Sequence, residues 1–177
     1  TMQWVQVFPL PVPPRRYLGQ MVYFAPRGSM LLYAGSHGDN NLGDLWELTA
    51  GPTWTNITPA YRPGKRSEHS MVYDSLRERV VIFGGNRSGD SVWSYETWTY
   101  DGTAFQEESP ATPPNSRGNA SICYDALRDR VLMHGGEVTS DIKVQSTHEY
   151  DGTDWISRTQ SPCPSWSGGG MAYASAR

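Results

Sequence analysis

The sequence has few cysteines, no excess of basic residues and no long apolar run, and each of these excludes a class of protein. Its 177 residues include two cysteines, Cys123 and Cys163, so it can form at most one disulfide bond and is not a disulfide-built scaffold. Acidic residues outnumber basic ones, 18 to 15, and the net charge of -3 disfavours a nucleic-acid-binding surface. No apolar run approaches the roughly 20 residues of a membrane span, and the first residues lack a signal-peptide pattern. We therefore expect neither a nucleic-acid partner nor a membrane span.

Aromatic and turn-forming residues, by contrast, are abundant. The chain has 7 tryptophans and 10 tyrosines, and with 12% aromatic residues it is too ring-rich for a disordered segment. Its 18 glycines and 13 prolines predict many turns. Since no segment shows a convincing helical period, the composition favours a folded chain of short strands.

The chain contains an internal repeat of about 50 residues. Its first landmark is a tyrosine that ends a short apolar run, at Tyr23, Tyr73, Tyr124 and Tyr173. A second is a pair of small residues, at Ala34-Gly35, Gly84-Gly85 and Gly135-Gly136. A third is a single aromatic residue, at Trp4, Trp54, Phe105 and Trp155. Because independent landmarks share one period, chance is a poor explanation.

Each repeat is predicted to contain four short strands, a to d. In the second repeat, strands a, b and c are expected at 71–73, 80–83 and 97–100, and strand d begins near Phe105. Strand b is a continuous apolar run of the kind that is buried on both faces. Asp101-Gly102 is a hairpin signal between strands c and d. Four strands per repeat are typical of a β-propeller blade, which must bury its faces against neighbouring blades.

These landmarks resemble those of the kelch repeat family, whose signature is a di-glycine after an apolar strand, then a tyrosine and a tryptophan. The second repeat has Gly84-Gly85, Tyr100 and Phe105 in the tryptophan place, and the third has Gly135-Gly136, Tyr150 and Trp155. The first repeat departs from the pattern, with Ala34-Gly35 and with Leu48 in place of tyrosine. The resemblance implies a kelch-type β-propeller. Its Trp-x-Tyr-Asp-Gly hairpins are similar to those of secreted bacterial proteins, which favours an extracellular location.

We therefore expect an all-β fold of three complete four-stranded blades in a single array. The repeats span approximately 16–59, 66–109 and 117–160, with partial units at 1–9 (a strand d) and 166–177 (a strand a). Closed propellers typically have about 4–8 blades, so this chain leaves an apolar blade face uncovered. Two interpretations stay open: the chain is part of a longer propeller, or it closes or covers the ring by oligomerising. In either case we expect it to self-associate.

Some proteins that share the kelch fold bind a metal ion or cofactor, but the residues that do so in those proteins are missing from this sequence. Cys123 aligns with Val22 and Val72 of strand a, which predicts a core residue rather than the cysteine of a copper radical site. The iron motif Glu-x3-Asp-x3-His of plant specifier proteins is matched only by Glu137 and Asp141, because position 145 is glutamine. We expect neither a metal ion nor a cofactor.

Three arginines are the best candidates for ligand binding. Arg16, Arg66 and Arg117 lie at equivalent positions before strand a, and Trp166 takes this place in the fourth unit. At the mouth of a propeller channel, guanidinium groups could bind carboxylate or phosphate groups bidentately, and such arginines line ligand pockets in some kelch domains. The alternative is that each arginine holds backbone carbonyls or an acidic residue of a neighbouring blade. His69, nearby and specific to one repeat, is a further candidate.

The sequence favours a non-catalytic binding or assembly module that recognises a protein or carbohydrate ligand. The loops after strand b, at 37–41, 86–90 and 137–141, vary most between repeats and are a usual place for recognition. No nucleophile–base pair, metal-ligand spacing or phosphate loop is evident. The alternative is a carbohydrate-active or lyase-type enzyme with a channel-mouth site made of Arg66, His69 and Arg117.

Overall fold

The computed structural model describes residues 11–88, 93–139, 142–158 and 164–174. These residues form strands and connecting loops, apart from a short 3-10 turn at Ala25–Arg27. The predicted all-β class is confirmed. Within the described ranges, no helix has the length and apolar character to span a bilayer.

Three antiparallel sheets of four strands each account for most of the structure, and none closes on itself. The strands of the first sheet, in chain order and in spatial order, are β1 (Gln20–Phe24), β2 (Ser29–His37), β3 (Asn40–Leu48) and β4 (Trp54–Asn56). Strands β2 and β3 extend to His37 and Asn40, so the predicted loop at 37–41 is instead the end of a long hairpin.

The second and third sheets repeat the up-and-down order of the first. The second repeat contains β5 (Arg66–Ser67), β6 (Ser70–Asp74), β7 (Arg79–Phe83), β8 (Asn86–Arg87), β9 (Thr97–Tyr100) and β10 (Phe105–Glu108). The third contains β11 (Ser121–Asp125), β12 (Arg130–His134), β13 (Glu137–Thr139), β14 (Ile142–Lys143), β15 (Thr147–Tyr150) and β16 (Trp155–Ser157). The main sheets are β6-β7-β9-β10 and β11-β12-β15-β16, while β5 pairs with β8 and β13 pairs with β14.

Aspartates shape the turns that join these strands. Between β6 and β7, one carboxylate oxygen of Asp74 accepts hydrogen bonds from the backbone N–H groups of Leu76 and Arg77, both at 3.1 Å. Asp125 does the same in the third repeat. Between β9 and β10, Asp101 accepts from the two residues that begin the return, and Asp151 has the same role after β15. A short side chain that binds its own backbone is why aspartate recurs at these turns.

The core lies between the sheets, and β7 contributes to both halves of it. Val80 and Ile82 pack in a cluster with side chains of the first sheet, whereas Val81 and Phe83 pack with those of the third. All four are at most 1% exposed, which confirms the prediction of a strand buried on both faces. Phe83 also meets the ring of Trp155 edge-on, at a centroid distance of 5.3 Å. The recurring aromatic residues therefore join one sheet to the next.

A chain of backbone hydrogen bonds links the repeats. Leu18, Glu68, Asn119 and Gly168 occupy equivalent positions and all have positive φ, at 55°, 61°, 53° and 72°. The N–H of Glu68 donates to the carbonyl of Leu18 (3.2 Å), that of Asn119 to Glu68 (2.8 Å), and that of Gly168 to Asn119 (2.9 Å). We call this series the inter-repeat ladder. Each repeat is thus attached to the preceding one by the same bond.

The two predicted partial units have different outcomes. The expected strand d at 1–9, with Trp4, lies outside the described residues. The expected strand a at the C-terminal end is wrong, because residues 164–174 contain no strand. Met171 and Tyr173 have the sequence of strand a, but no strand b follows them among the described residues. A strand needs a hydrogen-bonded partner, and an apolar pattern alone does not supply one.

The first glycine of each di-glycine pair allows close contact with the next repeat. Gly84 has φ +66°, and a Cβ there would overlap the carbonyl oxygen of Arg117. Ala34, at the matching position of the first repeat, has φ +54°, so the conformation alone does not exclude alanine. The contact with the next repeat is what requires glycine at position 84.

We predict that Gly84→Ala lowers the free energy of unfolding by more than the roughly 1–2 kcal/mol of left-handed strain, because the backbone of Arg117 must also move. Gly51→Ala is the control, since the space around Gly51 is open. Urea unfolding of both variants measures the difference. Equal stability of the two variants would contradict the close contact.

Candidate functional site

The three candidate arginines are anchored within their own repeats. Arg16 donates to the carbonyl of Ala34 (2.9 Å) and makes two 2.8 Å bonds to the carboxylate of Asp44. Arg66, which is completely buried, donates to the carbonyl of Gly84 (2.9 Å) and to Glu96 (2.7 Å). The anchors therefore lie at equivalent positions: Ala34 and Gly84 follow the apolar run of strand b, and Asp44 and Glu96 lie two residues before the tryptophan of strand c.

A tryptophan completes this arrangement in the first two repeats. The indole N–H of Trp46 donates to Asp44, and that of Trp98 donates to Glu96 at 3.0 Å. Burial acts to raise the pKa of both carboxyls, but the hydrogen bonds from the arginine and the tryptophan outweigh it and the net pKa is lowered. Both carboxylates are therefore held ionised as the counter-ions of Arg16 and Arg66.

The third repeat keeps the arginine and changes both of its companions. Arg117 donates to the carbonyl of Gly135 (3.1 Å), but Ser146 replaces the carboxylate and accepts at 2.7 Å. His148 replaces the tryptophan. Arg117 is 2% exposed, and burial lowers its pKa to about 10. It has no carboxylate partner among the described residues, which distinguishes it from Arg16 and Arg66.

These contacts are those of an anchoring side chain, which was the alternative to a ring of ligand-binding arginines at a channel mouth. The longer-range partners of the three side chains all lie in the repeat of the arginine itself. The remaining acceptors are the carbonyls of Pro14, Pro63 and Asn115, in the connection just before each arginine. That alternative expected backbone carbonyls or an acidic residue of a neighbouring blade. Carbonyls are bound in all three repeats and an acidic residue in the first two, but the acidic residue belongs to the repeat of the arginine itself. This is because strand c pairs with strand b of the same repeat, which brings Asp44, Glu96 or Ser146 next to the arginine.

Trp166 takes the place of the arginine in the fourth unit. Its backbone makes the same contact as that of Arg117, but its side chain does not. Its carbonyl accepts from the N–H of Gly136 at 2.7 Å, just as the carbonyl of Arg117 accepts from Gly85 at 3.0 Å. The side chain of Trp166 is exposed. The backbone at this position therefore joins the second repeat to the third, and the third to the fourth unit, with either an arginine or a tryptophan side chain.

His69 lies in the core and not on a surface. It is 1% exposed, and its ring stands edge-on to that of Tyr33 at 5.5 Å. Neither ring nitrogen has a hydrogen-bond partner among the described residues. Burial, with a smaller contribution from the charge of Arg66, lowers its pKa to about 3. His69 is therefore a neutral packing residue in this structure, with no access to a ligand.

A cleft that the sequence did not reveal lies at the edge of the second sheet. Its volume is about 670 Å³, and it is formed by the loop at 93–97 and by the connection at 107–116. Trp93 and Tyr95 contribute rings, and Tyr95 is 61% exposed. The only sequence signal was the variable loop after strand b, which begins at the predicted segment 86–90.

The acidic residues of the cleft differ in how strongly they are held. Glu96 is paired with Arg66 and Arg87. Glu108 accepts from the hydroxyl of Thr99 at 2.7 Å and pairs with Arg79 at 3.3 Å. Glu107, which also lines the cleft, is exposed. Two of the three carboxylates are thus fixed by structural contacts.

The residues considered for metal chemistry have different surroundings where the structure describes them. The described part of the chain has no group of three or more His, Cys, Asp or Glu placed to hold a metal ion. Cys123 is 9% exposed, in agreement with the predicted core position. Glu137 accepts a 2.7 Å hydrogen bond from the side chain of Asn119. Asp141 and Cys163 lie outside the described residues.

Comparison with known families adds no assignment, since no protein-family model matches the sequence.

We predict an acid-sensitive contribution of His69 to stability. Its pKa of about 3 in the folded protein lies below the unfolded value near 6.5, so the stabilising neutral form is fully effective above pH 6.5. This stability is lost as the pH falls from 6.5 towards 3, by about 2 kcal/mol between pH 6.5 and pH 4.5. His69→Phe keeps a ring against Tyr33 and removes the titration. Urea unfolding at several pH values should show a shallower loss for His69→Phe, and identical slopes would show that His69 does not contribute.

Proposed function

We propose that this chain is a non-catalytic binding module of the kelch repeat type, whose three sheets are blades of a β-propeller and whose cleft at the second sheet binds a carbohydrate. The observation that carries the binding role is the cleft itself, with two aromatic side chains and several hydroxyl and carboxylate groups around about 670 Å³. The kelch assignment is supported by the repeat landmarks and by the equivalent contacts between repeats.

The contacts from one repeat to the next support the propeller arrangement. Besides the inter-repeat ladder, Arg27 donates to the carbonyl of Gly102 in the second repeat. The equivalent Arg77 donates to the carbonyl of Asp151 in the third repeat. Both acceptors lie in the turn between strands c and d. A constant step between successive four-stranded sheets is what generates a radial array of blades.

The size and chemistry of the cleft favour a sugar over a protein surface. Small-molecule sites typically enclose about 300–1,000 Å³, whereas a stable protein partner covers roughly 800 Å² on each side. The exposed face of Tyr95 can stack against the apolar face of a sugar ring. The exposed carboxylate of Glu107 and the hydroxyls of Ser109 and Ser116 can accept or donate hydrogen bonds to sugar hydroxyls.

Among the residues that the structure describes, no contact favours the alternative of a sugar-cleaving or lyase-type enzyme. A glycosidase needs one carboxyl that holds a proton and a second that is free to react. Glu96 is kept ionised by Arg66, and Glu108 is bound to Thr99 and Arg79. Of the residues predicted for a channel-mouth site, Arg66 and His69 are both at most 1% exposed.

The binding proposal is tested with a panel of neutral tetrasaccharides, namely the β-1,4-linked glucose and N-acetylglucosamine oligomers and the α-1,4-linked glucose oligomer. We expect at least one to bind by calorimetry, with saturation-transfer signals from its ring protons. Tyr95→Ala should weaken the binding at least tenfold, because stacking on an aromatic ring is lost. Tyr61→Ala is the matched control, since Tyr61 is 62% exposed and lies outside the cleft. Absence of binding by the whole panel, or equal losses in both variants, would contradict the proposal.

We also propose that the chain self-associates. A second copy would cover the outer face of an end sheet, in the way that neighbouring sheets within one chain cover each other. Met71 is 6% exposed where the second sheet meets the first, but the equivalent Met21 on the first sheet is 50% exposed. Tyr23, two residues along the same strand, is 55% exposed. At the other end, Leu132 is partly exposed although the equivalent Leu31 and Val81 are fully buried. The two end faces are therefore unlike, which favours head-to-tail contact.

Sedimentation velocity over a range of protein concentrations tests the self-association. The native chain should form dimers or larger species, and the double variant Met21→Lys/Tyr23→Lys should shift the distribution towards the monomer. Leu127→Lys is the control, because Leu127 is 83% exposed in a turn and lies off the sheet face. A native chain that stays monomeric and folded at high concentration would refute the proposal.

A further inference from the structure

The three repeats provide an internal comparison for one buried position. The first two contain an arginine, an acidic residue and a tryptophan whose side chains are joined by hydrogen bonds: Arg16, Asp44 and Trp46 in one, and Arg66, Glu96 and Trp98 in the other. In both, the carboxylate receives hydrogen bonds from the guanidinium and from the indole N–H. The third repeat has Arg117, Ser146 and His148 at the same positions.

The substitutions in the third repeat remove a negative charge and keep the buried arginine beside it. Nη1 of Arg117 donates to the carbonyl of Gly135, and the same nitrogen donates to the hydroxyl of Ser146 at 2.7 Å. The other terminal nitrogen, Nη2, has no hydrogen-bond partner among the described residues. A guanidinium that is 2% exposed and lacks a counter-ion is costly, since a buried charge is normally paired.

His148 supplies a second polar group without a partner. Its Nδ1 is buried and has no hydrogen-bond partner among the described residues. His148 lies two residues after Ser146, as Trp98 lies two residues after Glu96 and donates to its carboxylate. His148 also lines an open hollow of about 450 Å³ with Thr112 and Trp155.

We infer that Arg117, Ser146 and His148 form a binding site for a small carboxylate ion, which takes the place held by the side-chain carboxylates of Asp44 and Glu96 in the other repeats. The guanidinium supplies charge and N–H donors, and the Ser146 hydroxyl and the His148 ring are available as further donors. The depth of Arg117 selects a free ion of the size of formate or acetate over an acidic side chain of another protein. The site is independent of the carbohydrate cleft, so its test can fail without affecting that proposal.

The test measures the melting temperature in sodium acetate, sodium chloride and sodium phosphate at equal ionic strength and pH 7.5. We expect 100 mM acetate to raise the melting temperature of the native chain by about 3 °C over chloride, in a saturable manner. Phosphate should have a smaller effect than acetate. An equal response to all three salts would overturn the assignment to a carboxylate.

Two variants at Ser146 give the matched comparison. Ser146→Glu places a carboxylate on the chain, as Glu96 does in the second repeat, and should raise the melting temperature and abolish the response to acetate. Ser146→Gln has nearly the same shape without the charge, and should be less stable than Ser146→Glu. If the two variants are equally stable, or if Ser146→Glu still responds to acetate, the site is not where we place it.

A measurement on the native chain keeps the inference testable if Ser146→Glu does not fold. Bound acetate should show a nuclear Overhauser effect between its methyl protons and the ring protons of His148. A saturable acetate response without that contact would place the ion elsewhere and overturn the inference.

Discussion

The burial of each sheet against the next is the interaction on which the rest of the structure depends. Strand β7 has no solvent-facing side, because Val80 and Ile82 pack towards the first sheet while Val81 and Phe83 pack towards the third. Burying one such side chain is worth roughly 1.5–3 kcal/mol, whereas a single hydrogen bond of the inter-repeat ladder contributes about 1 kcal/mol. The side chains therefore hold the sheets together, and the ladder and the di-glycine contacts fix their relative position. Among the described residues, each end sheet packs in the core against one neighbouring sheet, which is why we propose self-association.

Within each repeat, an arginine links two strands. Its guanidinium donates to a carbonyl that follows the apolar run of strand b and to a side chain near the start of the paired part of strand c. The arrangement is stable in the first two repeats because Asp44 and Glu96 neutralise a buried guanidinium. Repetition makes a departure informative: the third repeat keeps Arg117 at the same depth and lacks the carboxylate. The carboxylate site that we infer follows from this difference. Ligand recognition, by contrast, is proposed for a loop cleft that has no counterpart in the repeat pattern.

Much of the fold could be predicted from the sequence, because the residues that define it recur. The apolar run before Gly84-Gly85, the aspartate turns and the periodic rings predicted the strands of each sheet and the two-sided burial of β7. The strand expected around Met171 did not form, since strand formation depends on a partner that an apolar pattern does not contain. The role of Arg66 could not be predicted because its partner Glu96 is 30 residues away in the sequence. The two residues become neighbours only when the chain folds. Trp93 and Tyr95 follow no period, so the variable loop after strand b was the only sign of their cleft in the sequence. The kelch assignment and the function stay predictions.

Native-state hydrogen exchange tests the central claim most directly, by comparing the equivalent strands β2, β7 and β12 in dilute protein. If sheet-on-sheet burial holds the fold together, the amide groups of β7 exchange only through global unfolding. Those of β2 and β12, in sheets with one covered face, then open at a lower free energy. The matched positions Leu31, Val81 and Leu132 allow a residue-by-residue comparison. Equal protection of all three strands, or the greatest protection in β2 or β12, would contradict the account.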